Sequence, residues 1–381
     1  MTAATIPRAR AAIALIFLMH GFITGAWVPH IPLAQQRLDL DLASIGLALL
    51  ALAAGAVAAM PVSAMLANRY GSARVTFITG LLYGLALVLP ASAPEPVTFV
   101  AGLALFGSAM GAMDVAMNAQ GLAIEKAMGR PLMSLFHGMY SVGAMSGAGA
   151  SALILASLPA AAHLALSVLL AVSLILIAGP RLLPADADRG LEGEQFFALP
   201  SRATIGLGAL CFMALMSEGA VLDWSAIQLK QAFDLPAHRA VLGYALFAGG
   251  MALARFAGDH LRSRFGSVSV VRVSALSLTI AMIVALTAPH PVISILAYGI
   301  AGTGIGNLAP ILFGGGGRLE PSAPGRGIAA VVALGYAGFV AGPPFIGFLG
   351  EAIGLSAALG VVVAGAVIIA LSARLAAAAD S

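Results

Sequence analysis

His20, Asp114, Asn118, Glu218 and Asn307 interrupt stretches that are otherwise Ala, Leu, Val, Met and Gly. An imidazole and two carboxylates in apolar surroundings can take up and release protons near neutral pH, because burial and neighbouring charges move such groups into that range. An amide instead offers a donor and an acceptor to a hydroxyl-bearing ligand. His20-Gly21 and Glu218-Gly219 superpose when the two halves of the chain are aligned on the glycines, so these two ionisable groups fall at equivalent places. Thr24 and Trp27 follow His20 at i+4 and i+7, and Ser225 follows Glu218 at i+7, which puts each set on one helical face. Asn118 lies one turn after Asp114, and Asn307 lies near the place equivalent to Asp114 in the second half.

We therefore take His20, Asp114 and Glu218 as proton-handling candidates, and Thr24, Trp27, Asn118, Ser225 and Asn307 as ligand-binding candidates. Simpler roles stay open: His20 satisfied by a helix carbonyl, Glu218 in a structural ion pair, Asn307 packing between small residues, and Trp27 and Trp224 anchoring at a membrane interface. Asp223 is turned about 140° from the Glu218 face and is expected to act as a gate or to pair with Lys230 or Arg239. His137 and Tyr140 share one side of their helix, with Asp114 a possible neighbour, and Arg255 is expected to snorkel or to pair with Asp259.

Other chemistries lack their residues. No spacing of His, Cys, Asp and Glu matches a metal site, and no nucleophile stands beside a base. The run Gly314 to Gly317 lacks the Lys-Ser/Thr ending of a phosphate loop. Cys211 is the single cysteine, so no intrachain disulfide forms and a small buried residue is expected. No cofactor, nucleic-acid partner or enzymatic activity is expected.

The elements that must carry these side chains follow from composition. Hydrophobic residues make up 60% of the chain and charged residues 9%, with a mean hydropathy of +1.00. Windows of about twenty apolar residues, each able to cross a hydrocarbon core of roughly 30 Å, recur along the whole sequence. They fall near 10–33, 43–67, 75–93, 96–122, 131–157, 161–181, 203–229, 238–261, 269–288, 291–317, 325–350 and 354–378. The reading is an all-α membrane protein of twelve transmembrane helices, with half 1–181, a cytoplasmic linker 182–202 and half 203–381. Phe196-Phe197 in the linker could rest on the membrane surface, although a plain connector is the simpler reading. The tail from Ala376 to Ser381 is expected to fray.

With an N-terminus inside, 16 of the 19 Lys and Arg residues fall on the cytoplasmic side, and only Arg37, Lys230 and Arg239 fall outside. Miscounting one span would move every later loop to the wrong side. Both termini are therefore expected in the cytoplasm.

Arg69-Tyr70-Gly71-Ser72 returns 195 residues later as Arg264-Phe265-Gly266-Ser267. Gly107 and Gly111 keep the same offset from Gly302 and Gly306, and these pairs, with Gly143/Gly147 and Gly338/Gly342, have the small-xxx-small spacing of closely packed helices. Pro343-Pro344 is expected to bend its helix. A basic loop between the second and third helix of each of two six-helix halves resembles the major facilitator superfamily of secondary transporters. Its loop pattern, roughly Gly-x-x-x-Asp-Arg-x-Gly-Arg-Arg, is matched by Arg69, Gly71 and Arg74, while Ala64 and Asn68 depart from it. Arg264 and Gly266 repeat the match, again without the acid, in the second half. We assign these five matching residues and Asp223 gating or structural roles.

The segments Met113 to Gly121 and Glu218 to Ser225 look like a bacterial branch related to fucose permease. The resemblance implies a central cavity lined by the first, fourth, seventh and tenth helices, alternating access, a bacterial inner-membrane location and function as a monomer. It also implies a proton-coupling acid on the fourth helix, for which Asp114 is the carry-over candidate. The expected partners are a small, sugar-like organic solute, protons and the bilayer. Drug or metabolite efflux by the same fold is the alternative; a non-transporting membrane sensor would be a different class.

Overall fold

The computed structural model describes residues 5–184 and 198–380. Among these every regular element is helical. The α-helices are α1 (Thr5–Trp27), α2 (His30–Arg37), α3 (Leu42–Tyr70), α4 (Ser72–Ala86), α5 (Val88–Ser92), α6 (Pro96–Met128), α7 (Met133–Ile154), α8 (Ala160–Ala178), α9 (Ile205–Phe233), α10 (Ala237–Ala240), α11 (Leu242–Thr287), α12 (Pro291–Ile305), α13 (Leu308–Leu319), α14 (Pro324–Ile353), α15 (Leu355–Ala358) and α16 (Gly360–Leu371). In lipid no water is at hand for backbone N–H and C=O groups, so an apolar chain satisfies them within each segment by coiling into a helix.

Nine helical stretches among the described residues are long and apolar enough to cross a membrane, and a bent pair, Leu355–Leu371 with Ala373–Ala379, makes a tenth. Two further passes complete twelve. The 22-residue α7 is long enough but made less apolar by its Gly and Ser, and α11 is two passes joined at a kink at Gly266. Leu153, Leu169, Leu253, Val273 and Ile280 each leave more than half of their surface uncovered. Such a coat suits hydrocarbon as solvent. Most of the linker, Phe196-Phe197 included, lies outside the described residues.

The duplication is visible in the backbone. Gly71 (φ 87°, ψ 140°) and Gly266 (φ 75°, ψ 158°) turn the chain through a region that a Cβ makes costly. Asp39 and Asp234, also 195 residues apart, share φ values of 51° and 52°. Arg69 lies over the Tyr70 ring at 5.2 Å and Arg264 over Phe265 at 5.5 Å, so both loops present a guanidinium stacked on an aromatic ring.

The described residues form two compact units: 5–39, 51–184 and 237–245 in the first, 40–50, 198–236 and 246–380 in the second. In unit 1, α1 and α7 are packed backbone to backbone. A Cβ on Gly21 would stand 2.9 Å from the Ala144 nitrogen, and one on Gly143 would stand 2.9 Å from the Phe22 nitrogen. Gly107 and Gly111 likewise seat α6 on Leu52 and Ala56 of α3. In unit 2, Gly302 seats α12 on Phe247 of α11, and Gly338 seats α14 on Phe212 of α9. The glycine run 314–317 is helical, with Gly315 against Leu207 and Gly316 against Gly327. Pro343 and Pro344 sit inside α14 without ending it. The first turns of α3 belong to unit 2, where the Leu42 amide donates to Glu351 at 3.1 Å and Gly46 lies against Pro343 and Gly347.

Each Gly-Ser turn is tied to the segment that follows the last helix of its unit. The Gln120 amide donates to the Ser72 hydroxyl at 2.8 Å and exchanges two hydrogen bonds with the Leu183 backbone. In unit 2 the Asp380 carboxylate accepts the Ser267 amide at 2.7 Å and the Ser267 hydroxyl at 2.6 Å, while Arg262 donates to the Ala379 carbonyl. The expectation of a frayed tail is thereby corrected for 376–380. Ala373–Ala379 forms a 3-10 helix with Ala376 and Ala379 fully buried, because apolar contact and an acid on the loop hold it. Partial burial pushes the Asp380 carboxyl up, but the Ser267 hydroxyl and amide and the Arg262 guanidinium outweigh it and hold it below the usual carboxylate range.

Candidate functional site

In unit 1 the mid-helix glycines draw α1 onto α7 and leave His20 between aromatic rings. Tyr83 of α4 lies 4.9 Å from the imidazole and Tyr140 of α7 lies 5.5 Å from it, centroid to centroid. The Thr24 hydroxyl donates to the His20 carbonyl at 3.0 Å, as i to i−4 helix hydroxyls do. Its proton is thereby spent. The Tyr83 hydroxyl, 2.9 Å away, then donates to Thr24.

His20 Nε2 lies 3.4 Å from the Met110 carbonyl of α6, while Nδ1 is buried with no partner among the described residues. Donation from Nε2 to that carbonyl makes Nδ1 a bare acceptor. An unmet buried acceptor costs about 1–3 kcal/mol, and it is the place at which a proton or a ligand donor gains most. The helix-carbonyl alternative thus accounts for one ring nitrogen and leaves the other open.

One turn along α6 from Met110, Asp114 is half-buried and near enough to Tyr83 to act on it electrostatically. The Asn118 amide donates to the Asp114 carbonyl at 2.8 Å and to its carboxylate at 3.2 Å, so Asn118 supports Asp114 directly. His137 packs edge-on against Phe17, 5.4 Å between centroids, one turn below Tyr140. Tyr83 was absent from the sequence candidates. Its signal was a phenol in the middle of an apolar span, since a buried Tyr hydroxyl needs a partner.

In unit 2, Glu218 of α9 and Arg255 of α11 form an ion pair at 3.4 Å, with side chains 14% and 10% exposed. The expected pairing of Arg255 with Asp259 is corrected: the guanidinium turns inward, where a carboxylate on a neighbouring helix offsets the cost of burying it. Asp223 is buried and has no ion-pair or hydrogen-bond partner within unit 2 among the described residues, so the expected pairing with Lys230 is absent. The Ser225 hydroxyl is buried without a partner as well. Asn307 falls in the break between α12 and α13 and sets its amide against Gly258 of α11, the packing arrangement.

The interface-anchor reading of both tryptophans is corrected. Trp27 is packed among His30, Phe99 and Phe106, and Trp224 is fully buried beside Gly347. Arg69, Arg74 and Arg264 are exposed at the ends of their helices, and Gly71 and Gly266 make the turns described above.

Comparison with known proteins agrees with twelve apolar passes and a duplicated Arg-x-Gly turn. The family profile of the Major Facilitator Superfamily matches residues 13–317. An uncharacterized MFS-type transporter of Yersinia pestis is 36% identical over 361 residues, 94% of each chain. Among solved structures, the nucleoside transporter NupG superposes with a TM-score of 0.73 at 16% identity, covering 98% of this chain and 99% of that one. The fucose:proton symporter FucP of Escherichia coli gives 0.66 at 16% identity with the same coverage. A family profile spanning most of the chain and a relative aligned nearly end to end leave one placement: the chain is a multi-pass membrane protein that belongs to the Major Facilitator Superfamily of transporters.

Proposed function

We propose that the protein is a proton-coupled secondary transporter of a small, hydroxyl-rich organic solute of the sugar or nucleoside class. The bare, buried Nδ1 of His20, with the Tyr83 ring 4.9 Å from the imidazole and Tyr83 tied to Thr24, carries this reading. In a chain with 9% charged residues, a polar cluster at mid-helix depth is costly and marks a proton or ligand path. His20 and Asp114 handle the proton in unit 1, with Asn118 and Thr24 fixing the carboxylate and the phenol. Glu218, held by Arg255, is the third member, and Ser225 is a further solute contact, while Trp27 and Asn307, packed in this state, reach the solute only when their helices move apart. Nucleoside transport by NupG and fucose:proton symport by FucP, which share this fold over their whole length, support the solute class and the proton.

On this reading halves 1–181 and 203–381, joined by 182–202, alternate access across a bacterial inner membrane, with both termini cytoplasmic and one chain sufficient. The test is solute flux into proteoliposomes under an imposed pH gradient. Flux should follow the gradient, and Asp114→Asn should abolish accumulation while leaving exchange at equal concentrations. Indifference to the gradient would remove the proton, and unaltered transport by Glu218→Gln would remove that residue from the mechanism.

A further inference from the structure

A second group of buried titratable side chains lies in unit 1, apart from the His20 cluster. His30 opens α2 just after the elbow at Val28-Pro29, and its Nε2 lies 3.0 Å from Nδ1 of His163 on α8. His163 Nε2 lies 2.8 Å from the Ser151 hydroxyl on α7, and Ser151 donates to the Gly147 carbonyl at 2.7 Å. Both rings are 1% exposed.

With the Ser151 proton on the Gly147 carbonyl, the serine oxygen accepts from His163 Nε2–H, and the Ser167 hydroxyl oxygen lies 3.5 Å from the same nitrogen. His163 Nδ1 then carries a lone pair, and His30 Nε2–H donates to it. His163 is then neutral with its proton on Nε2, and His30 holds a proton on its own Nε2. One proton lies between the rings, and there is no room for a second: protonating His163 at Nδ1 would set two N–H groups head to head 3.0 Å apart.

The surroundings do not compensate a charge on the pair. Arg37 on α2 acts on His30 electrostatically and donates to the Ala91 and Pro90 carbonyls, and α10, which packs on α2 and α7, carries His238 and Arg239. His20 is seven residues, about 10 Å, back along α1 from its end at Trp27. None of these is a carboxylate.

We propose that His30 and His163 form a proton-operated fastener that holds the α1–α2 elbow to the α7–α8 hairpin while His163 is neutral and lets go when its Nδ1 takes up a proton. The contact needs bare Nδ1 on His163, whereas released rings titrate as ordinary imidazoles near pH 6.5. The closed contact is therefore fully present above that pH and is lost as the pH falls below it. With one proton taken up at His163 Nδ1 on release, the open-to-closed ratio rises by up to about tenfold per pH unit.

The indole of Trp27 stacks beside His30, 6.4 Å between centroids at 17°, and reports on the elbow. The chain has two tryptophans, so full-length protein labelled with 5-fluorotryptophan gives two fluorine resonances, assigned with Trp224→Phe. Between pH 8 and pH 5 the Trp27 signal should move reversibly to a second state while that of Trp224 stays, and His30→Gln and His163→Gln should each suppress the change with helicity intact. A Trp27 signal that does not respond in the parent protein overturns the proposal without any variant. So does a response that persists in whichever variant folds.

Discussion

Replacing Gly143 by Ala places a methyl group against the backbone of α1. The new Cβ would stand 2.8 Å from the Leu18 carbonyl carbon and 2.9 Å from the Phe22 nitrogen, and closer still to the Leu18 oxygen. Carbon atoms normally meet at about 3.5–4.0 Å, so α1 and α7 must separate by about 1 Å. No side chain can rotate out of the way, because the obstructing atoms are main chain. Overpacking of this kind costs about 1–3 kcal/mol, and a clash with backbone belongs at the upper end. Against it, Ala gains about 1 kcal/mol over Gly in a helix interior, leaving a net loss of about 2 kcal/mol.

Gly149, on the same helix with nothing within 4 Å of its Cβ position, is the internal control: Gly149→Ala should gain about 0.5–1 kcal/mol. The two variants then differ by about 2–3 kcal/mol, which thermal melts of purified protein at one scan rate should register as several degrees. The same displacement moves His20 away from Tyr140, so solute flux should fall in Gly143→Ala and not in Gly149→Ala. Gly143→Ala melting at or above Gly149→Ala would refute the backbone-contact reasoning.

Glu218→Gln leaves the Arg255 guanidinium buried without its counter-ion and should cost about 3–5 kcal/mol, while Glu218→Gln with Arg255→Met should recover most of the loss in the same melt. Gly71→Ala and Gly266→Ala each force a Cβ into a positive-φ turn and should lose about 1–3 kcal/mol, with equal effects in the two copies marking the turn itself as the cause. Because the Asp380 carboxyl is held below its usual range, its tie to Ser267 is complete above about pH 4 and is lost as the pH falls through the lowered value. Proteolysis of the C-terminus should accordingly be slow at pH 7 and rapid in Asp380→Asn at the same pH.

The twelve passes, the Gly-Ser turns and the small-xxx-small seams were legible because each is a local or periodic property. A run of twenty apolar residues must coil in lipid whatever surrounds it, and a glycine whose turn recurs 195 residues later has the same backbone task twice. His20 and Asp114 were legible for a related reason, since an ionisable group in such a run is costly wherever it points.

What the sequence could not carry was direction and partner. Arg255 lies one turn from Asp259 in the chain yet meets Glu218, 37 residues away, because the rotation of α11 against α9 decides which carboxylate is near. Tyr83, Asp380 and the pair His30 and His163 gained their roles from neighbours 59, 113 and 133 positions distant. The sequence by itself determined how many helices there are, where they turn and which faces could approach closely. Only the packing of those helices, set by glycine contacts that fix rotation and depth to within an ångström or so, decided which buried polar atom meets another and which, like Nδ1 of His20, is left without a partner among the described residues.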